Sequence, residues 1–99
     1  MKVYIAIGYF KDNKNITQVV FKQNTIKDAR KDCKNNAFVP YILLTENMFE
    51  KVLKIENTTD VYTQVRKLIS HCGSWNIVTD YIYQLKDDII EKVNKVKGE

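Results

Sequence analysis

The alternation of residues 3–10 is the feature that most constrains how this chain folds. Its two alternating sets are both apolar or small, and they consist of Val3, Ile5, Ile7 and Tyr9 on one side, and Tyr4, Ala6, Gly8 and Phe10 on the other. A period of two residues indicates a β-strand, and a strand with two apolar faces is typical of the interior of a sheet. We therefore predict a central strand over residues 2–10.

The next segments predict a β-hairpin. Residues 11–15 are all polar and suit a turn of hairpin length. Residues 16–23 then return to an alternating pattern with apolar side chains on both sides. We therefore expect a second strand over residues 16–23, antiparallel to the first.

A helix and a third strand are expected after the hairpin. Thr25 precedes apolar residues at helical spacing, and Asp28 three positions later completes a pattern similar to a capping box. The residues predicted to share the buried face of this helix are Ile26, Ala29, Cys33 and Ala37. Residues 38–44 are a short apolar run, in which Pro40 indicates a sheet edge or a bulge because proline lacks the N–H that a ladder needs.

Helical spacing dominates the rest of the chain. Thr45 is the predicted cap of one helix, and the polar run 57–60 is predicted to end that helix and to cap a second. Gly73 is predicted to take the left-handed conformation that ends helices, and Ser74 to cap a last helix over residues 75–96. The order β-β-α-β-α-α-α predicts a single α+β domain that spans the whole chain.

The residue types that most often carry catalysis form no recognisable set. The single histidine, His71, precedes Cys72, but neighbouring residues of a helix point about 100° apart and do not face one reactant. A zinc site needs about four ligands, and only Cys33 would add to this pair. The three glycines are isolated and form no phosphate-binding loop. We therefore expect a non-enzymatic protein without a cofactor or metal.

The cysteines and the hydropathy pattern indicate an intracellular protein. Two cysteines are too few for a disulfide framework and are predicted to be small buried hydrophobic residues. The N-terminus shows no secretory signal, and no apolar run approaches the roughly 18 residues of a membrane span. We therefore expect a cytoplasmic protein that does not contact membranes.

Positive charge is concentrated in the first half of the sequence. Residues 1–45 contain eight Lys and Arg against three Asp, a net charge of +5, whereas residues 46–99 contain eight Lys and Arg against nine acids and carry −1. Four of the cations lie at helical spacing on one side of the first predicted helix. This basic stripe consists of Lys27, Arg30, Lys31 and Lys34. Lys11 and Lys14 in the predicted turn are expected to extend its field.

The basic stripe suits two kinds of partner. It would attract phosphates in a salt-sensitive way, or it would dock on an acidic protein surface or on the RNA of a ribonucleoprotein. The neighbouring carboxylates of Asp28 and Asp32 dilute its charge, and the strand aromatics suit core packing better than base stacking. Binding of nucleic acid through the stripe is therefore the alternative function, and a solvated helix face is the competing structural explanation.

The last predicted helix offers a second candidate surface. Its apolar residues follow a heptad-like seam that consists of Trp75, Val78, Ile82, Leu85 and Ile89. Tyrosines often anchor interfaces, and residues 89–96 are expected to protrude. The residues of this helix predicted to bind a partner, or a second copy in a homodimer, are Tyr81, Tyr83, Ile90 and Val93. The competing explanation is that the helix packs entirely in the core.

A small basic domain without a reactive set is expected to act by binding. We predict an interaction protein that binds a larger protein or ribonucleoprotein. The small size and the abundance of Lys, Asn and Ile resemble those of accessory proteins of phages and mobile elements, a group that includes anti-CRISPR and other anti-defence inhibitors. That resemblance implies an inhibitor, and the net charge of +4 argues against mimicry of DNA, which needs an acidic face.

Overall fold

The fold is a three-stranded antiparallel sheet with helices on both faces. The computed structural model describes residues 1–55, 60–69 and 72–99. The strands are β1 (Lys2–Phe10), β2 (Asn13–Gln23) and β3 (Phe38–Thr45), in the order β2-β1-β3. The helices are α1 (Ile26–Asn35), α2 (Glu46–Leu53), α3 (Val61–Leu68) and α4 (Trp75–Lys97). This arrangement confirms the predicted α+β fold and the central position of β1.

Each apolar set of β1 contributes to a different core. The larger core lies between the sheet and helices α2 to α4, and it includes Val3, Ile5, Ile7, Leu44, Phe49, Val52, Val65, Ile69, Val78, Ile82 and Ile89. The smaller core lies between the sheet and α1, and it consists of Tyr4, Ala6, Ala29, Cys33, Phe38 and Leu43. Burial of apolar surface on both sides of β1 is the main force that holds the helices to the sheet.

The hairpin turn is shorter than predicted. β2 begins at Asn13, so a two-residue turn joins the strands and Lys14 belongs to β2. The register between β1 and β2 shifts between Gly8 and Phe10, and the ladder continues to the pair of Phe10 and Asn13. A polar segment remains a strand here because the neighbouring strand provides its hydrogen-bond partners.

The predicted starts of α1, α2 and α3 are confirmed by their capping hydrogen bonds. The Thr25 hydroxyl accepts from the Asp28 N–H at 3.2 Å and donates to the Asp28 carboxylate at 3.0 Å. The side chains of Thr45 and Asp60 accept equivalent bonds at the starts of α2 and α3, at 3.1 and 3.4 Å. Ser74 is the N-cap of α4 without a side-chain bond. Residues 57–59 of the predicted helix stop lie outside the described residues.

The helix ends differ from the prediction. Among the residues that the structure describes, no glycine has a positive φ, so Gly73 is not left-handed. The left-handed residue is Ala37, with a φ of 54°, which lies beyond the end of α1 and is exposed. Ile26 is also exposed, so Ala29 and Cys33 alone form the buried face predicted for this helix. The helix ends at Asn35, and β3 begins at Phe38.

Pro40 lies at a bulge of an edge strand, as predicted. β3 pairs only with β1 and forms one edge of the sheet. The register shifts at this point, since Ile7 pairs with Ile42 whereas Gly8 pairs with Pro40. The missing N–H of proline is therefore placed where the ladder is already irregular.

The last helix begins and ends close to the predicted positions. α4 contains 23 residues, and its helical dihedral angles are interrupted at Leu85, with φ −118° and ψ 22°. Val78, Ile82 and Ile89 of the predicted seam are fully buried against the sheet and the neighbouring helices. Each helix in the described part of the chain is too short or too polar to cross a membrane.

Candidate functional site

The basic stripe lies on the outer face of α1. Ala29 and Cys33 fix the orientation of the helix because both are buried against the sheet. The stripe residues leave the helix on the opposite side, and all four are exposed: Lys27, Arg30, Lys31 and Lys34. The fold therefore places these four cations together on one solvent-facing surface.

The two carboxylates beside the stripe have other hydrogen-bond partners. The Thr25 hydroxyl donates to Asp28 at 3.0 Å, and the Gln23 amide donates to Asp32 at 2.6 Å. Within residues 1–55, 60–69 and 72–99, no cation of the stripe forms an ion pair. The two acids lie beside the stripe and weaken its positive field. The four cations remain available to an external anion.

Lys11 and Lys14 are not equivalent. The Lys11 N–H donates to the Ala37 carbonyl at 2.9 Å, so the Lys11 main chain lies beside the end of α1, and its part in the stripe stays a prediction. The Lys14 ammonium lies 4.9 Å from the centre of the Tyr9 ring. Tyr9 precedes Phe10, which packs in the smaller core, and neighbouring strand residues face opposite sides. Lys14 therefore lies on the face away from α1, and its predicted part in the stripe is corrected.

The structure also corrects the predicted partner surface on α4. Tyr81 and Val93 are only 8% and 5% exposed, because the helix lies flat on the larger core rather than protruding. The Tyr83 hydroxyl lies 2.8 and 3.0 Å from the carbonyl oxygens of Val52 and Ile55, so its single O–H links α4 to the end of α2 through either acceptor. Of the four predicted contact residues, only Ile90 is exposed, and one aliphatic side chain does not make an interface.

The buried position of Tyr81 has a specific polar reason. Its hydroxyl hydrogen-bonds to the side-chain oxygen of Gln18, which is 5% exposed on β2. Burial raises the pKa of Tyr81; a hydrogen bond with Thr17 opposes this effect, and the charge of Asp88 adds to it. Gln18 alternates with Ile16 and Val20, which pack against the larger core, so its position in the sequence was a signal that a polar group on this face needs a partner.

The two cysteines occupy separate cores. Cys33 lies in the smaller core beside α1, and Cys72 lies in the larger core on the other face of the sheet. Burial raises the pKa of the Cys33 thiol, and the charge of Asp32 adds to this effect. The Cys72 sulfur lies 3.4 Å from the Tyr41 carbonyl oxygen. The sheet therefore separates two of the three residues considered for a zinc site, and the third, His71, lies outside the described residues.

A second group of cations was missed by the sequence analysis. Lys51 on α2, Lys54 at the C-cap of α2 and Lys67 on α3 line a cleft of about 540 Å³ between these two helices. Each helix carries its lysines near its C-terminal end, which is a common pattern and therefore a weak signal. Their convergence depends on how α2 packs beside α3, which the sequence does not reveal.

No known protein family, curated protein or solved structure matches this chain. The fold and its surface define a small α+β domain that presents one exposed basic helix face. Within the part of the chain that the structure describes, no group of three or more His, Cys, Asp or Glu side chains is placed to hold a metal ion.

Proposed function

We propose that this protein is a non-enzymatic interaction protein, which binds an acidic surface of a larger protein or ribonucleoprotein through the basic stripe. The observation that supports the proposal is the set of four exposed, unpaired cations on the outer face of α1. Complementary charge of this kind steers association and sets orientation. Ala29 and Cys33 are buried against the sheet, so α1 turns the face that carries the four cations toward solvent.

Two observations favour a protein partner over bare nucleic acid. The carboxylates of Asp28 and Asp32 flank the stripe and would repel a phosphate backbone, whereas a protein surface of mixed charge accommodates them. The rings of Phe10 and Phe38 form an edge-to-face pair at 5.1 Å in the smaller core, so neither is presented to stack on a base.

The proposal is tested by reversing the charge of the stripe. The variant Lys27→Glu, Arg30→Glu, Lys31→Glu, Lys34→Glu is tagged and used to capture partners from a host lysate, with and without nuclease. A control with the same change in net charge reverses Lys51, Lys54, Arg66 and Lys67. Wild type and control should recover a stoichiometric protein that resists nuclease, and the stripe variant should lose it.

Two outcomes would overturn the proposal. Equal recovery by the stripe variant would show that these four residues do not bind the partner. Recovery that disappears after nuclease treatment, with an affinity that falls steeply as salt rises, would establish the alternative of a nucleic-acid-binding regulator.

The more specific form of the proposal is an anti-defence inhibitor of the anti-CRISPR kind, which the size and composition of the chain support. Expression of the protein in cells that carry a defence system should then restore infection by a phage that the system restricts. The stripe variant should fail to restore infection at the same expression level, whereas the matched control should succeed.

A further inference from the structure

A second concentration of positive charge lies on the opposite side of the sheet from α1. The cleft between α2 and α3 has a volume of about 540 Å³. The described residues that line it are Lys51, Lys54, Ile55, Gln64, Lys67 and Leu68. This lining contains three positive charges and one amide, and none of these residues is a carboxylate.

Among the described residues, no carboxylate is paired with the three lysines of the cleft. In residues 1–55, 60–69 and 72–99, no ion pair or hydrogen bond involves the ammonium groups of Lys51, Lys54 or Lys67. Glu50 precedes Lys51 but lines a different groove, between α2 and α4. A lysine in the last turn of a helix compensates the helix dipole, which accounts for Lys51 and Lys67 singly. Compensation of the helix dipole does not account for three like charges around one concave space, where they repel one another.

The cleft also has an apolar part. Ile55 and Leu68 are half-buried and pack against the larger core, and both line the cleft. Gln64 adds an amide that both donates and accepts hydrogen bonds. Small-molecule sites usually combine an apolar surface with a few polar groups, in a volume of about 300–1,000 Å³.

We propose that this cleft binds a small oligophosphate anion, in particular a nucleoside with two or more phosphate groups. The lysines neutralise the phosphates as point charges, and the planar base packs on Ile55 and Leu68. The cleft is open, which suits a ligand whose charged end stays partly hydrated. This inference does not depend on the proposed function, because α1 and its stripe pack on the other face of the sheet.

Calorimetric titration of the full-length protein tests the inference with three probes: ATP, inorganic tripolyphosphate and adenosine. ATP should bind saturably with one site per chain, tripolyphosphate more weakly, and adenosine not at all at the same concentrations. The double variant Lys54→Gln, Lys67→Gln should weaken ATP binding by at least about tenfold. Both lysines are exposed, so the variant should keep the wild-type unfolding midpoint, which is measured alongside.

The matched control is the double variant Lys27→Gln, Lys31→Gln, which removes the same charge from the basic stripe. Its affinity for ATP should stay within about twofold of wild type, since the stripe and the cleft are separate sites. An equal loss of ATP affinity in both variants would overturn the inference, because ATP binding would then follow the net charge of the protein alone. An absence of saturable binding at millimolar ATP would overturn it as well, and neither result would affect the partner-capture test of the stripe.

Discussion

Backbone contacts decide the role of individual residues at two points of the fold. Gly8 lies where β1 approaches the bulge of β3, and a Cβ added there would meet the Val39 carbonyl group and lie 2.7 Å from the Pro40 Cα. These atoms belong to the main chain and cannot rotate away. At Gly73, no atom of the described residues lies within 4 Å of an added Cβ.

The two glycines therefore respond differently to the same change. Gly8→Ala should lower the free energy of unfolding by about 2 kcal/mol or more, because β1 and β3 must separate to admit the methyl group. Gly73→Ala should leave it unchanged or raise it by up to about 1 kcal/mol, since alanine reduces the freedom of the unfolded chain. Urea unfolding of both variants measures the difference, and similar values for the two would contradict the close approach of the strands.

Ala37 is the residue whose backbone would prefer glycine. Its φ of 54° lies in the left-handed region, which costs an L-residue about 1–2 kcal/mol. Ala37→Gly removes this strain but makes the unfolded chain more flexible, so a net gain of up to about 1 kcal/mol is expected in urea unfolding. Ala37→Val should instead lower stability, because a β-branched residue is disfavoured at this φ. If Ala37→Gly instead lowers the free energy of unfolding, the backbone at this position is not strained.

At the scale of secondary-structure elements, α4 is joined to the sheet by polar as well as apolar contacts. Tyr81 pairs with Gln18 on β2, and the Lys92 ammonium donates to the Gln18 main-chain carbonyl at 3.3 Å. At the other end of the helix, Lys97 forms an ion pair with Glu46 at 2.8 Å. The Tyr81–Gln18 pair should affect the free energy of unfolding more than the Lys97–Glu46 ion pair, because both of its side chains are removed from water.

Removal of one polar group of the Tyr81–Gln18 pair should lower the free energy of unfolding more than replacement of both by apolar groups. Tyr81→Phe leaves the Gln18 side chain buried without its partner and should lower the free energy of unfolding by about 1–3 kcal/mol. The double variant Tyr81→Phe, Gln18→Met replaces the pair with apolar groups and should be more stable than the additive expectation. A double-mutant cycle by urea unfolding measures this coupling, and strict additivity would contradict the hydrogen bond.

The elements that the sequence predicts well are those governed by local rules. The alternation of residues 2–10 and the hydroxyls of Thr25 and Thr45 identify a central strand and two helix starts, because periodicity and capping depend on neighbours in the chain. The surface of α4 could not be predicted in this way. Its apolar and aromatic residues fit a core or an interface equally well, and only the packing of the helix flat on the sheet decides that Tyr81 is buried.

At the scale of the whole molecule, the charge asymmetry of the sequence becomes an asymmetry between layers. Residues 1–45, with a net charge of +5, form the sheet and α1, whereas residues 46–99, with −1, form helices α2 to α4. The basic stripe was therefore predictable, because it lies within one helix. The lysine cleft was not, because its three cations belong to two helices of a layer whose overall charge is slightly negative.

Four titrating groups among the described residues have a pKa that the fold raises. Burial raises the pKa of Cys33 and of Tyr81. A hydrogen bond to Asp80 raises the pKa of the exposed Tyr62, and a hydrogen bond to Glu46 raises that of the exposed Lys97. In each case the folded protein holds its proton more tightly than the unfolded chain does.

Stability is therefore expected to fall at alkaline pH. As pH rises above about 8.5–10, the ordinary range of cysteine and tyrosine, the unfolded chain loses these protons first, which makes unfolding progressively more favourable. The contribution of each group is complete below its unfolded pKa and disappears as pH passes its raised folded pKa. Urea unfolding at intervals from pH 7 to pH 10.5 should show a midpoint that decreases above about pH 9.

The variant Tyr81→Phe should start from a lower unfolding midpoint, and this midpoint should decline less steeply over the same pH interval, because the variant lacks one of the buried groups that titrate. A midpoint that rises with pH, or a variant that declines as steeply as wild type, would contradict the burial of this hydroxyl against β2.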